Sequence, residues 1–100
     1  MRVAENLIVS FFCMAKGNPT PTFEWDINGK RINPHTKRFK HFQIFEMPQG
    51  TVLRILQVKR NKDQREYDPN EDTIITCVAK NSIGEVRANS TLHIYPMEGK

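Results

Sequence analysis

Phe23-Glu24-Trp25-Asp26-Ile27 alternates apolar and acidic side chains around the only tryptophan of the chain. That period of two reads as a half-buried strand with Phe23, Trp25 and Ile27 facing inward. Cys13 stands twelve positions before Trp25, and Cys77 fifty-two positions after it. The first interval holds one strand and a turn, the second several more strands. This order and spacing fit a β-sandwich built around one buried bridge, with the indole packed on it. Both cysteines must then point inward from opposite sheets. Local patterning allows it, because Leu7, Val9, Phe11, Cys13 and Ala15 share one face of a strand and Ile75, Cys77 and Ala79 one face of another.

Working outward, Asn6 to Ala15 reads as one strand, with the end of an earlier strand before it, and Gly17-Asn18-Pro19-Thr20-Pro21 as the turn that stops it. Asn28-Gly29 is a hairpin turn leading into a short return strand at Lys30-Arg31-Ile32, which Asn33-Pro34 breaks. Phe39 to Phe45 and Thr51 to Val58 read as strands, the second with Leu53 and Ile55 inward. From Lys59 to Asp72 the chain is dense in charge and reads as a long surface loop. Strands at Ile74 to Lys80 and Val86 to Ile94 follow, joined by a turn at Asn81 to Glu85. The expected class is all-β, in one domain spanning residues 1–100.

Hydrophobic residues make up 38% and charged residues 26%, which suits a folded globular chain rather than a disordered one. No run approaches the roughly 18 consecutive apolar residues of a membrane span. Met1-Arg2 leads straight into Val3-Ala4-Glu5 with no leader pattern; Met1 is read as the initiator of a domain excised from a multidomain ectodomain. His35, His41 and His93 are scattered, and neither cysteine has a ligand neighbour at zinc spacing, so no metal is expected. There is no phosphate-cradling glycine loop and no nucleophile elbow; no cofactor and no enzymatic activity are expected. Two cysteines permit a single intramolecular pair. Closing it would stabilise the fold by roughly 4 kcal/mol from loop-closure entropy. Such a bond persists in an oxidising compartment, and the sequon Asn89-Ser90-Thr91 leans the same way as a candidate glycosylation site.

Further segments sharpen the picture. Gly17-Asn18-Pro19-Thr20-Pro21, Val52-Leu53-Arg54-Ile55 and Cys77-Val78-Ala79-Lys80-Asn81-Ser82-Ile83-Gly84-Glu85 resemble the immunoglobulin I-set pattern of adhesion and guidance receptors. Asn81 and Gly84 suit a hairpin that needs a positive φ. Over nearly its whole length the chain is similar to the membrane-distal immunoglobulin domain of LAR-type receptor protein tyrosine phosphatases. The resemblance implies the extracellular part of a plasma-membrane receptor. Phosphatase activity would reside in other domains. In that family a lysine-rich loop after the tryptophan binds heparan and chondroitin sulfate, and here the loop is Trp25-Asp26-Ile27-Asn28-Gly29-Lys30-Arg31. Lys30 and Arg31 match two of its basic positions and Arg38 another, whereas Ile27 and Asn28 replace lysines. A tyrosine two residues before the second cysteine is also missing: Ile75 stands there, and Tyr67 in the lengthened Lys59–Asp72 connection is the candidate substitute.

The distribution of charge matters more than the net +4. Lys30, Arg31, Lys37, Arg38 and Lys40 fall within residues 30–41 with no acidic residue among them. Lys59, Arg60, Lys62 and Arg65 are interleaved with Asp63, Glu66 and Asp68. The first group is therefore the candidate glycan-binding edge (C–C′–D in immunoglobulin lettering), with heparan or chondroitin sulfate as partner. Nucleic acid is a poor competitor, because Phe39 and Phe42 are placed for packing rather than stacking. No direct membrane contact is expected. The rival readings are an adhesion module contacting cell-surface or matrix proteins, and a cytosolic muscle-type domain with two buried thiols. Phe12 and Met14, on the face opposite Cys13, would mark a protein interface if exposed.

Overall fold

A computed structural model describes residues 2–4, 6–56, 58 and 73–95. Eight strands and one short helical turn follow in the order β1 (Arg2–Ala4), β2 (Val9–Met14), β3 (Thr22–Ile27), β4 (Lys30–Arg31), a 3₁₀ turn (Lys37–Phe39), β5 (Phe42–Met47), β6 (Gly50–Ile55), β7 (Thr73–Lys80) and β8 (Glu85–Tyr95). They form a five-stranded sheet, β1-β8-β7-β3-β4, and a three-stranded sheet, β2-β6-β5. All pairings are antiparallel except β1 with β8. The expected all-β sandwich is the observed one. The segment Lys59 to Asp72, with Tyr67, lies outside the described residues.

The centre of the sandwich is a closed square of four residues. Trp25 lies directly across from Cys77 in the five-stranded sheet. Cys13 lies directly across from Thr51 in the three-stranded sheet. A Cys13–Cys77 disulfide joins the sheets along one side, with the two Cα atoms 6.4 Å apart. On the other side Trp25 Nε1 donates to Thr51 Oγ1 at 3.2 Å, in a buried hydrogen bond. Around the square pack Phe11, Leu53, Ile55, Ile75 and Leu92, all buried. Ile75, in the place of the corner tyrosine, is itself 1% exposed and serves as core.

Several boundaries differ from the sequence reading, each for a local reason. The strand expected from Asn6 begins at Val9, because Asn6 takes a left-handed conformation (φ 73°) that bends the chain from one sheet to the other. Leu7 is 47% exposed at that bend and Ala15 lies beyond the strand, so only Val9, Phe11 and Cys13 of the expected face reach the core. The strand expected to run to Val58 ends at Ile55. Val58 is still buried, held by Asn6 N–H donating to its carbonyl and its own N–H donating to Leu7 O.

The strand expected from Phe39 starts at Phe42 instead, after the helical turn. Asn33 sets up that turn: its Oδ1 accepts from His35 N–H and its carbonyl from the Thr36 hydroxyl. Strand alternation would send Phe39 and Phe42 to opposite faces, whereas the helical turn brings both to the core, edge to face at 5.3 Å.

Asn28-Gly29 forms the expected hairpin with φ of 49° and 83°. Gly84 does not adopt a positive φ, contrary to expectation. The turn before β8 is tied by the Asn81 side chain, whose Oδ1 accepts from the N–H groups of Ile83 and Gly84.

The Trp25–Thr51 bond makes a specific prediction. Thr51→Val keeps the shape but leaves a buried indole N–H without an acceptor, which should cost about 1–3 kcal/mol. Urea unfolding of the oxidised protein measures it, and a loss within experimental error would remove this bond from the account of stability.

Candidate functional site

Strands β4 and β5 are the terminal strands of their sheets, and the connection between them crosses one margin of the sandwich. The five basic residues singled out in the sequence all lie along this margin. Lys30 and Arg31 form β4, Lys37 and Arg38 belong to the helical turn, and Lys40 caps it. All five are exposed. Arg38 is held in place through its own neighbour, its guanidinium carbon lying 5.8 Å from the centroid of the Phe39 ring. Phe39 itself is buried, so this contact ties a surface cation to the core.

Arg31 differs from the other four. In register it faces Asp26 across β3. Its Nε pairs with Asp26 Oδ1, and its Nη1 lies 2.7 Å from Glu24 Oε1. The hydrogen bond to Asp26, with the charges of Asp26 and Glu24 beside it, holds the guanidinium more firmly protonated than usual, against the opposing effect of burial. The sequence segment is free of acids, but the neighbouring strand supplies them. Lys30, Lys37, Arg38 and Lys40 have no carboxylate partner among the described residues.

The pairing of Arg31 is one part of a ladder over the outer face of the five-stranded sheet. Lys80 Nζ reaches Glu24 Oε1 at 3.2 Å, Arg87 Nη1 approaches Asp26 Oδ2 at 3.9 Å, and Arg87 Nε donates to Glu85 Oε2 at 2.9 Å. Three cations and three carboxylates thus neutralise one another on that face. Val78, flanked in register by Glu24 and Arg87, is only 1% exposed beneath them, although it points away from the core. Asn89 sits exposed on the same face, its Oδ1 accepting from the Thr76 hydroxyl at 2.8 Å.

No group of three or more His, Cys, Asp or Glu side chains placed to hold a metal occurs among the described residues. An open cleft between residues 15–21 and 79–86 has Ala15, Pro21, Ile83 and Val86 among its lining, and its Lys80 is already paired with Glu24.

The immunoglobulin I-set domain pattern matches residues 1–94. The chain belongs to the immunoglobulin I-set family. Tyrosine-protein phosphatase Lar of Drosophila melanogaster is 36% identical over 90 residues, which cover 88% of this chain and 4% of that protein. The N-terminal Ig1-2 module of the Drosophila receptor phosphatase DLAR superposes with a TM-score of 0.77 at 30% identity, over 97% of this chain and 45% of that one. Titin domain M7 follows at 26% identity and a TM-score of 0.70, over 94% of this chain and 83% of that one. The resemblance to LAR-type receptors is therefore matched by both sequence and structure. Because this I-set domain spans about 4% of Lar, the phosphatase in that name describes a far longer protein. The I-set domain itself is non-catalytic.

The ladder divides the basic residues into two kinds. Arg31→Gln should lower stability by about 1 kcal/mol, because Asp26 loses its nearest partner while Arg87 still screens it. Glutamine at Lys30, Lys37 or Lys40 should leave the thermal midpoint unchanged. Equal shifts for all four variants in thermal denaturation would dissolve the distinction.

Proposed function

We propose that this I-set domain is an extracellular recognition module of a LAR-type receptor, and that it binds sulfated glycosaminoglycans of the heparan or chondroitin type through Lys30, Lys37, Arg38 and Lys40. The observation that carries the reading is the separation of charge. The broad outer face of the five-stranded sheet is neutralised internally, so attraction for a polyanion concentrates at the β4–β5 margin. Lysine and arginine side chains on a short turn suit sulfates repeating along a flexible polymer, and arginine adds bidentate hydrogen bonds. Arg31 contributes as a structural residue whose charge is largely answered by Asp26 and Glu24. The disulfide supports an oxidising environment over the cytosolic, muscle-type alternative. Exposed Asn89 fits an N-linked glycan on the ladder face, on the other side of the five-stranded sheet from its core.

Heparin chromatography against a cation exchanger of matched charge density tests the reading. Single alanine substitutions at Lys30, Lys37, Arg38 or Lys40 should each shift elution to modestly lower salt, and the fourfold change should bring it down to that of the exchanger. Replacing Lys59, Arg60 and Lys62 should matter much less, since acidic neighbours dilute their field. If those three substitutions abolished retention while the fourfold change spared it, the assignment would be wrong.

A further inference from the structure

The hairpin that opens the basic margin carries a covalent chemistry that glycan binding does not use. Asn28 and Gly29, at the tip between β3 and β4, form the only Asn-Gly pair of the chain. Both are exposed, and a Cβ built on Gly29 would meet nothing within 4 Å. Asn28 Oδ1 accepts from Ile74 N–H at 2.9 Å, which draws electron density from Cγ. The Asn28 amide nitrogen and the Gly29 N–H make no hydrogen bond among the described residues. The other described asparagines lack this combination. Asn18 and Asn33 precede prolines, whose nitrogen has no proton to give up. Asn81 is bound through both of its side-chain polar atoms, and Asn81 and Asn89 each precede a serine. Asn6 precedes Leu7, whose N–H already donates to Ala4 O.

We propose that Asn28 deamidates spontaneously, and that the carboxylate so formed weakens the basic margin as the protein ages; the second half rests on the glycan reading. Gly29 N gives its proton to hydroxide or water and attacks Asn28 Cγ. The Cγ–Nδ2 bond breaks, and the amide nitrogen takes up a proton and leaves as ammonia. A cyclic imide remains. Water opens it at the side-chain carbonyl to give aspartate, or at the backbone carbonyl to give isoaspartate. Overall, amide and water become acid and ammonia, with no redox partner. Glycine leaves the approach unobstructed. Because β4 is two residues long and ends its sheet, Gly29 N reaches Cγ through a local adjustment of the turn. The aspartate product keeps the bond from Ile74 N–H and places its charge two residues from Lys30. Residues 27–41 otherwise contain no acid. Lys30 thereby gains a carboxylate neighbour, as Arg31 already has in Asp26, and the margin loses part of its field.

The test is incubation at body temperature and mildly alkaline pH, followed by intact mass, peptide mapping and heparin elution. A species heavier by the exchange of an amino group for hydroxyl should accumulate at residue 28. It should form faster as pH rises, because the attacking nitrogen must lose its proton. An isoaspartate-specific methyltransferase should label part of it. The aged fraction should leave heparin at lower salt, by about the shift that Lys30→Ala produces, and Asn28→Asp should show that shift without ageing. Asn28→Gly, which tolerates the φ of 49° at this position, should show neither a mass gain at the turn nor a drift in elution. Three results would overturn the proposal: modification mainly at another asparagine, an unmodified protein after a free peptide of residues 24–32 has converted, or aged protein that elutes with fresh. Fresh protein that leaves heparin together with the cation exchanger would instead defeat the glycan reading, and the mass at residue 28 would still decide the deamidation.

Discussion

Everything in this domain is registered to the square formed by Trp25, Cys77, Cys13 and Thr51. Two of its sides are cross-strand neighbours within a sheet, and two run between sheets, one covalent and one a hydrogen bond. A slip of one residue in β2, β3, β6 or β7 would turn a corner of this square outward and reverse every side chain on that strand. The alternation that places Phe11, Leu53 and Ile75 in the core also places Phe12, Val52, Glu24 and Asp26 outside. The same constraint therefore builds the interior and dictates which residues each outer face must carry.

Those outer faces are chemically distinct. One sheet presents a ladder of mutually paired charges that shields Val78. The other presents aromatic and thioether side chains. The margin joining β4 to β5 holds four cations, Lys30, Lys37, Arg38 and Lys40, without carboxylate partners among the described residues. The partition follows from where carboxylates fall. Glu24 and Asp26 share a strand with Trp25, so their alternation points them to the ladder face, within reach of Arg31, Lys80 and Arg87. No comparable acids flank Lys37, Arg38 and Lys40, because the turn that carries them departs from the sheet. An unanswered positive charge is a matter of geometry here, not of composition.

How much of this was legible in the sequence depended on the range of the interaction. The strand around Trp25 and the hairpin at Asn28-Gly29 follow from local period and turn chemistry, and the disulfide, although it spans 64 positions, was legible because the chain holds only two cysteines. So was the outward direction of Phe12 and Met14. The helical turn at Lys37–Phe39 was not, because burying Phe39 together with Phe42 is a demand of the tertiary core that overrides local strand propensity. The neutralisation of Arg31 was hidden for a similar reason: its acids sit five and seven residues upstream but directly beside it once β3 and β4 pair. The apolar outer face of the three-stranded sheet, on which Phe12, Met14, Phe45 and Met47 are all exposed, was half visible. Phe45 and Met47 join Phe12 and Met14 only through β6, whose register no local pattern specifies.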